Sequence, residues 1–383
     1  MMSSRWLVLC SERLYELLLL AYPTDFRREY RQEMLLTFRD CCWQELQQGG
    51  SGRLFHFWGT ILPDFMKSVS VEHIQQFKNM FFRTKEYSMV ATPFHVQSAQ
   101  LTDIGLKRAK NEDTMISVLP EDSSVLSQKG ALFIVADGLG GHHQGEVASS
   151  LAVNTIRDAY YQDQTHDIPT ALTQAVRYAN AVIYQATQEQ GKQDAELLKA
   201  AMGTTCVAAV LKDHALYIAN VGDSLAYLVH DQQVSQLAVD HALNAVLKRI
   251  GVHRADGTLN TAIDLDQLLQ SSKEGGSVLA WVEGQVREGK VTKAEALAHV
   301  PSNIITRCLG SEAQVDVSLT TQEIQSGDIL ILCTDGLHTQ VSEAEMRAIV
   351  ERYTPEESTR QLIARANEHG GSDNTTAIVV KID

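Results

Sequence analysis

The spacing of apolar residues divides the chain into two parts. In residues 3 to about 80 they recur every three to four positions, which is the pattern of a helix with one buried face. One such series consists of Phe26, Tyr30, Met34 and Phe38. The pattern predicts three short amphipathic helices in a small all-α domain over residues 1–82, followed by a linker over 83–93.

From residue 94 the apolar positions form runs and alternations of strand length. Strands, two helices, strands, two helices and a last strand follow one another. This order favours an α+β domain over residues 94–383, with two antiparallel β-sheets sandwiched between helical layers. It does not suit a doubly wound fold, in which strands and helices alternate. The expected strands are 95–101, 115–118, 131–136, 204–211, 215–219, 226–230, 329–333 and 375–381, and the first two helices are 145–161 and 167–190.

Helix starts in the last part of the chain carry recognisable caps. Ser342 with Glu345 and Thr354 with Glu357 have the spacing of capping boxes. Thr292 with Glu295 has the same spacing. We expect a helix to begin at each of the three.

The charge of the chain is unevenly distributed. The total is −14, yet residues 1–90 hold 11 Lys and Arg against 10 Asp and Glu, while the rest holds 22 against 37. An acidic body argues against nucleic acid as a partner, because duplex binding depends on basic contacts to phosphates. It suits a protein that concentrates cations.

The six cysteines form no CxxC pair, and Cys206 and Cys333 lie inside apolar runs. Buried free thiols of this kind are typical of a reducing compartment. No window reaches the ~18 apolar residues that a membrane helix needs. We therefore expect a cytoplasmic protein without a membrane span.

Acidic residues stand at the ends of the predicted strands. Asp137 follows the apolar run 131–136, and Gly138, Gly140 and Gly141 come after it. The other acidic corners are Glu112 with Asp113, Asp223, Asp335 and Asp373. Carboxylates with no His or Cys among them form an oxygen-only set, which suits Mg²⁺ or Mn²⁺. Each taken alone could equally be a helix cap or an Asx-turn, and one of them could be only that.

Eight segments resemble the metal-dependent protein phosphatases, the PPM-type or protein phosphatase 2C-like family, in their bacterial form. They lie in family order over about residues 95–383. The segments are GLKRAKNED, VADGLGGHHQGEVAS, MGTTCVAAVL, IANVGDSLAYLV, DHAL, NIITRCLG, GDILILCTDGL and GGSDNTTAIVV. The resemblance implies the sheet sandwich described above and a protein serine/threonine phosphatase that uses two Mn²⁺ or Mg²⁺ ions, with a site for a third.

The resemblance also implies a role for each acidic corner. Asp137 is expected to bridge two ions, and the backbone carbonyl of Gly138 to complete the first. The other implied ligands are Asp335 and Asp373 for the second ion, Asp223 with Asp335 for the third, and Glu112 and Asp113 acting through water.

Arg108 matches the arginine that binds the substrate phosphate in the family. Its planar, two-pronged guanidinium suits phosphate oxygens. The nucleophile implied by the resemblance is a water between the two ions, so no Ser or Cys nucleophile is needed. Cys333, which precedes Asp335 by two residues, is therefore interpreted as an ordinary strand residue.

Two departures from the family pattern leave questions open. Some eukaryotic members have a histidine two residues after the bridging Asp as a candidate proton donor, and Leu139 stands there in this chain. His142 and His143 are nearby, so the donor stays open. Residues 252–282 are interpreted as an insertion in the flap of about 252–300, either a substrate-selecting element or a tolerated surface loop.

Partners follow from the same resemblance. Phosphorylated proteins are the expected substrates, with a Ser/Thr kinase or its targets as the counterpart. Residues 1–82 resemble a helical prefix domain of bacterial permeases, which implies at most docking of another protein; a structural appendage is the simpler interpretation. A catalytically weak phosphoprotein-binding member and a two-metal nuclease are the alternatives.

Overall fold

The structure is a computed structural model, and the chain divides into two compact units, Met1–Thr92 and Pro93–Asp383. The residues it describes are 11–16, 18–22, 34–35, 37–39, 41–43, 46, 52–54, 57–60, 65, 95–140, 144–165, 167–193, 202–254, 258–260, 269, 275–287, 291–298, 300–301 and 304–383. Among these residues no helix is both long and apolar enough to cross a membrane.

The described residues of the first unit are nearly all helical, including a 3₁₀ turn at Leu19–Ala21. Aromatic side chains form its core. The rings of Tyr15 and Phe38 stack with centroids 4.0 Å apart, and Phe65 packs edge-on against Tyr22. The third predicted helix runs from residue 53 to about 82. Most of it and all of the linker lie outside the described residues, so the domain bounds stay a prediction.

The second unit contains two antiparallel sheets, which confirms the predicted fold class. The first sheet runs in the order β1 (Val96–Asp103), β11 (Thr375–Ile382), β10 (Ile329–Cys333), β7 (Leu225–His230) and β8 (Gln233–Gln236). The second runs β2 (Asp113–Val118), β3 (Ala131–Leu139), β5 (Cys206–Lys212), β6 (Ala215–Val221) and β9 (Ser318–Glu323), and β4 (Gly203–Thr204) pairs with β3.

The unit has nine named helices among its described residues. In chain order they are α1 (Ser123–Lys129), α2 (Gln144–Gln162), α3 (Ile168–Gln193), α4 (Leu243–Arg249), α5 (Gly275–Arg287), α6 (Lys293–Ala298), α7 (Asp335–His338), α8 (Glu343–Arg352) and α9 (Pro355–Glu368). The Ser342 and Thr292 capping boxes form as predicted. Thr354 caps α9, but Glu357 instead pairs with Arg360 and Gln361.

Strand β3 belongs to two hydrophobic cores. Phe133 and Val135 point into the core that contains the inner side chains of both sheets. Leu132, Ile134 and Ala136 point into the core beneath α2 and α3. A strand buried on both faces needs apolar residues at every position, which explains the unbroken run that the sequence shows there.

The stretch interpreted as a flap insertion contributes to a third, smaller core. Val252, Leu269, Val278 and Val282 are buried there together with residues of α4 and α6. Part of the insertion is therefore packed, since a bare surface loop would bury no such side chains. Four apolar residues of the insertion have a spacing that could form one amphipathic turn, namely Ile263, Leu265, Leu268 and Leu269. Of these, Leu269 is described and buried, and the other three lie outside the described residues.

The sequence pattern missed several short elements. β3 runs two residues beyond Asp137, where we expected it to end, because Gly138 and Leu139 pair with β4. β8, β9, α1 and α7 were not predicted. They are four to seven residues long and mostly polar, so their hydrophobic patterning is too weak to detect.

Candidate metal centre

Asp113 and Asp137 lie opposite each other on neighbouring strands. They are register partners in the β2–β3 ladder. The backbone of this corner is fixed, because Gly138 N donates to Glu112 O at 3.1 Å and Asp137 O accepts from Thr205 N at 2.9 Å. The antiparallel pairing brings together two carboxylates that are 24 positions apart in sequence.

Two threonines, one in β11 and one directly after β10, hold one oxygen of Asp113. Thr376 Oγ1 donates to Asp113 Oδ2 at 2.7 Å, and Thr334 Oγ1 donates to the same atom at 2.9 Å. Thr334 precedes Asp335 in the chain, and Thr376 follows Asp373 by three positions. These bonds therefore tie the acidic ends of both sheets into one cluster.

The aspartates of the cluster repel one another in a poorly solvated place. Burial, and then the charges of Asp335 and Asp373, raise the pKa of Asp113 to about 7. The pKa of Asp137 rises well above its usual range, first through burial and then through Asp113, Asp335 and the other aspartates. Burial followed by Asp373 raises the pKa of Asp335.

A cation fits this cluster. Asp113 Oδ1 and Asp335 Oδ1 are buried without a hydrogen-bond partner, although a buried carboxylate oxygen is costly to leave unsatisfied. Besides burial and Asp113, the charge of Asp335 also raises the pKa of Asp137, and such repulsion between buried carboxylates is relieved by a proton or a cation between them. The chemistry of the donor set, all oxygen, is that of Mg²⁺ and Mn²⁺ sites.

The side chains alone do not complete a site. Within the described ranges, no group of three or more His, Cys, Asp or Glu side chains is arranged to hold an ion as it stands. The ligand set implied by the sequence includes a backbone carbonyl and water-mediated residues, which such a side-chain group does not contain. Binding therefore requires those further ligands or a turn of the carboxylates.

Two glycines let the backbone close around Glu112. A Cβ on Gly138 would lie 2.2 Å from Gly145 O, and one on Gly145 would lie 2.8 Å from Gly138 O and 2.9 Å from Glu112 Oε1. Neither position has room for a side chain. The Gly138 carbonyl and the Glu112 carboxylate thus both lie close to Gly145, a requirement for glycine at that position which was not foreseen from the sequence.

Asp223 lies in the turn between β6 and β7, beside a second acidic residue. Burial, and then Asp335 and Asp240, raise the pKa of Asp223 to about 7. Its backbone oxygen accepts from His338 Nε2 at 2.9 Å. Burial also raises the pKa of Asp240, whose carboxylate accepts from Ala242 N at 2.7 Å. Asp240 belongs to the DHAL segment, but sequence reasoning gave it no role.

Arg108 is at the exposed edge of the cluster. Its Nη2 lies 2.6 Å from Asp373 Oδ2, and the two side chains are 50% and 28% exposed. The hydrogen bond with Asp373 raises the pKa of Arg108 further above its usual range. A guanidinium that is half open to solvent and directed at the acidic cluster is placed to receive an anion.

Asn374 connects the loops that carry these groups. Its Nδ2 donates to Ile104 O at 2.9 Å and to Lys110 O at 2.8 Å, while its Oδ1 accepts from Glu112 N at 2.8 Å. The side chain is 5% exposed. Sequence reasoning missed this positioning residue; a polar side chain at the start of the apolar strand TTAIVV was the available signal.

The structure describes some of the residues considered as nucleophile or proton donor. Cys333 is a fully buried β10 residue, and burial raises the pKa of its thiol, which argues against a nucleophilic role as expected. Leu139 is the last residue of β3. His142 and His143 lie outside the described residues, so no proton donor is assigned.

Comparison with known proteins places the chain in a family. The family profile "Protein phosphatase 2C" matches residues 119–263. The "Serine/threonine phosphatase stp" of Listeria innocua is 32% identical over 285 residues, covering 73% of this chain and 93% of that protein.

Solved structures similar to this chain are also serine/threonine phosphatases. The Mycobacterium tuberculosis serine/threonine phosphatase PstP/Ppp is 29% identical with a TM-score of 0.54, covering 75% of this chain and 99% of that one. The catalytic domain of PstP in complex with two manganese ions is 28% identical with a TM-score of 0.53, covering 76% and 99%. The chain belongs to the protein phosphatase 2C family of metal-dependent protein phosphatases.

Proposed function

We propose that this chain is a protein-serine/threonine phosphatase that hydrolyses phosphoserine and phosphothreonine with Mn²⁺ or Mg²⁺. The observation that carries the proposal is the buried aspartate cluster, with two unpartnered carboxylate oxygens, beside the half-exposed Arg108. The family relationship supports the same activity, since the relatives compared are named serine/threonine phosphatases.

The residues that would hold the ions are those where the carboxylates converge. We assign Asp137 and the Gly138 carbonyl to a first ion, Asp137 with Asp335 and Asp373 to a second, and Asp223 with Asp335 to a third. Glu112 and Asp113 act through water. The raised pKa values of Asp113, Asp137, Asp223 and Asp335 support this assignment, because the repulsion that causes them is relieved by bound cations.

The cations and the protein side chains have separate roles in the proposed reaction. Bound divalent cations supply an activated water and offset charge on the phosphate oxygens. Arg108 binds the phosphate and gives up its contact with Asp373 to do so. Thr334 and Thr376 hold Asp113 in one orientation, and Asn374 fixes the loops that carry Arg108 and Glu112.

The proposal is tested by turnover after metal removal. Protein treated with EDTA and desalted should hydrolyse neither p-nitrophenyl phosphate nor a phosphothreonine peptide, and Mn²⁺ should restore both. Full activity without metal would contradict the proposal. Binding of the phosphopeptide without turnover would instead identify the catalytically weak member, and cleavage of DNA or RNA in its place would identify the nuclease.

Arg108→Ala should mainly raise KM for phosphorylated substrates. A charge-assisted hydrogen bond is worth about 1.5–3 kcal/mol, which corresponds to roughly a tenfold to hundredfold change. Arg108→Lys keeps the charge but loses the two-pronged contact, and its KM should fall between those of wild type and Arg108→Ala. Steady-state kinetics with p-nitrophenyl phosphate measures KM and kcat of each variant. An unchanged KM with a collapsed kcat would show that Arg108 stabilises only the transition state and does not contribute to substrate binding.

The partners and the location form a second part of the proposal. We infer a Ser/Thr kinase or its targets as the source of substrates, and a cytoplasmic location, which the free thiols of Cys41, Cys42, Cys206, Cys308 and Cys333 support. The first unit is proposed to dock another protein. Deleting this unit should leave p-nitrophenyl phosphate turnover intact and lower activity on the physiological phosphoprotein. If the truncated protein is as active as wild type on both substrates, the unit is a structural appendage.

A further inference from the structure

Two exposed apolar side chains lie in the loop that carries Arg108. Leu106 is 67% exposed and Ile104 is 38% exposed, in a body whose charge is strongly acidic. Single exposed leucines are common on protein surfaces and need no explanation. These two differ because they share a short turn with the residue proposed to bind phosphate; residues 104–108 are called the arginine turn below.

The arginine turn is fixed against the metal centre. Leu106 N donates to Gly371 O at 2.8 Å, and Gly371 is two residues before the proposed ligand Asp373. A Cβ on Gly105, whose φ is +76°, would lie 2.2 Å from Asp373 O. The Asn374 side chain holds the Ile104 carbonyl at the start of the turn. Leu106 is therefore displayed at a constant place on the rim of the site.

A bound phosphoprotein has to pass over this rim. The Cα atoms of Leu106 and Arg108 are two residues apart and thus at most about 7 Å from each other. Phosphoserine and phosphothreonine have short side chains, so the substrate backbone stays close to a phosphate that Arg108 holds. The residues that flank the phosphorylated position therefore come within reach of Leu106 and Ile104.

We propose that Leu106, assisted by Ile104, selects phosphoproteins that carry a large apolar side chain within two residues of the phosphorylated serine or threonine. This inference rests on the proposed function and deepens it. Burial of the two exposed side chains against an apolar partner removes apolar surface from water, and that gain is available only to a substrate which extends beyond its phosphate.

The test uses pairs of phosphothreonine peptides that differ only by Leu or Gln at position −2, −1, +1 or +2. In the Mn²⁺-loaded full chain, we expect kcat/KM to favour Leu by about tenfold at one or more of these positions. Leu106→Gln should remove most of that preference, and Leu106→Met, which keeps an apolar side chain, should retain it.

Leu126→Gln is the matched control. Leu126 is 40% exposed and lies on α1, just before β3 begins at Ala131. Asp137 lies six residues further along β3, a distance of about 20 Å from the start of the strand. This variant should keep the preference of wild type. No preference in wild type at any position, or a preference that survives Leu106→Gln, would overturn the inference while leaving the proposed function standing. Peptides that are not hydrolysed at all in Mn²⁺ would overturn both.

Discussion

Asp137→Asn should lower turnover on every phosphorylated substrate by on the order of 10³-fold, the largest loss expected from one substitution in this chain. The proposed role of Asp137 involves two ions at once, and metal ions supply several kcal/mol of charge stabilisation in such reactions. Asparagine has nearly the same shape but no charge, so the strand pairing with Asp113 should persist.

Asp137→Asn should also change the stability of the metal-free protein. Asp137 faces several like charges, so removing its charge should stabilise the metal-free protein while it destroys activity. Gain of thermal stability with loss of turnover would rule out misfolding as the cause. Asp122→Asn is the matched control, because Asp122 is the exposed N-cap of α1 and Asn caps equally well. Near-normal turnover of Asp137→Asn would show that the bridging assignment is wrong.

The metal-free protein should lose stability as the pH rises from about 4 to 8. Burial and repulsion raise the pKa of Asp113 from 3.8 to about 7, so the folded protein keeps a proton that the unfolded chain has released. The folded state thus binds more protons across that window, and the free energy of unfolding falls as pH increases. A shift of this size is worth about 4 kcal/mol, or roughly 10 °C in Tm.

Thermal melts at pH 5.5 and 8 with EDTA, and again with Mn²⁺, measure the upper part of this window, where about half of the loss is expected. Mn²⁺ should stabilise the protein much more at pH 8, because cations replace the protons. Asp328 raises the pKa of His230, so this histidine also makes the protein less stable as the pH rises. Its contribution is the same with EDTA and with Mn²⁺, so the informative quantity is the difference in Tm between the two conditions at each pH. In Asp223→Asn that difference should shrink. A Tm of the EDTA-treated protein that rises between pH 5.5 and 8 would contradict the raised pKa values.

The acidic corners were predictable because strand ends are visible in sequence. The apolar runs before Asp137 and Asp335, and the one after Asp373, fix where each strand meets its loop. Antiparallel packing then brings the ends together, and the structure does place Asp113 opposite Asp137. The resemblance to a known family added Arg108, which composition alone leaves as a surface charge.

The supporting residues were not predictable in the same way. Thr334 and Thr376 reach Asp113 from 221 and 263 positions away, and Asn374 bonds to loops more than 260 positions away. A local pattern contains no trace of such contacts, since threonine and asparagine occur at many strand ends. Of the packed flap residues, Leu269 was among the apolar positions singled out in the insertion, whereas Val252, Val278 and Val282 were missed because the insertion shows no clear period.

The two-core position of β3 has a genetic consequence. A substitution at Phe133 disturbs one core, and a substitution at Ile134 disturbs the other, yet both displace the strand that carries Asp137. Inactivating mutations are therefore expected in the apolar cores on both sides of the second sheet. Such alleles should lower the Tm of the metal-free protein, whereas Asp137→Asn is expected to raise it.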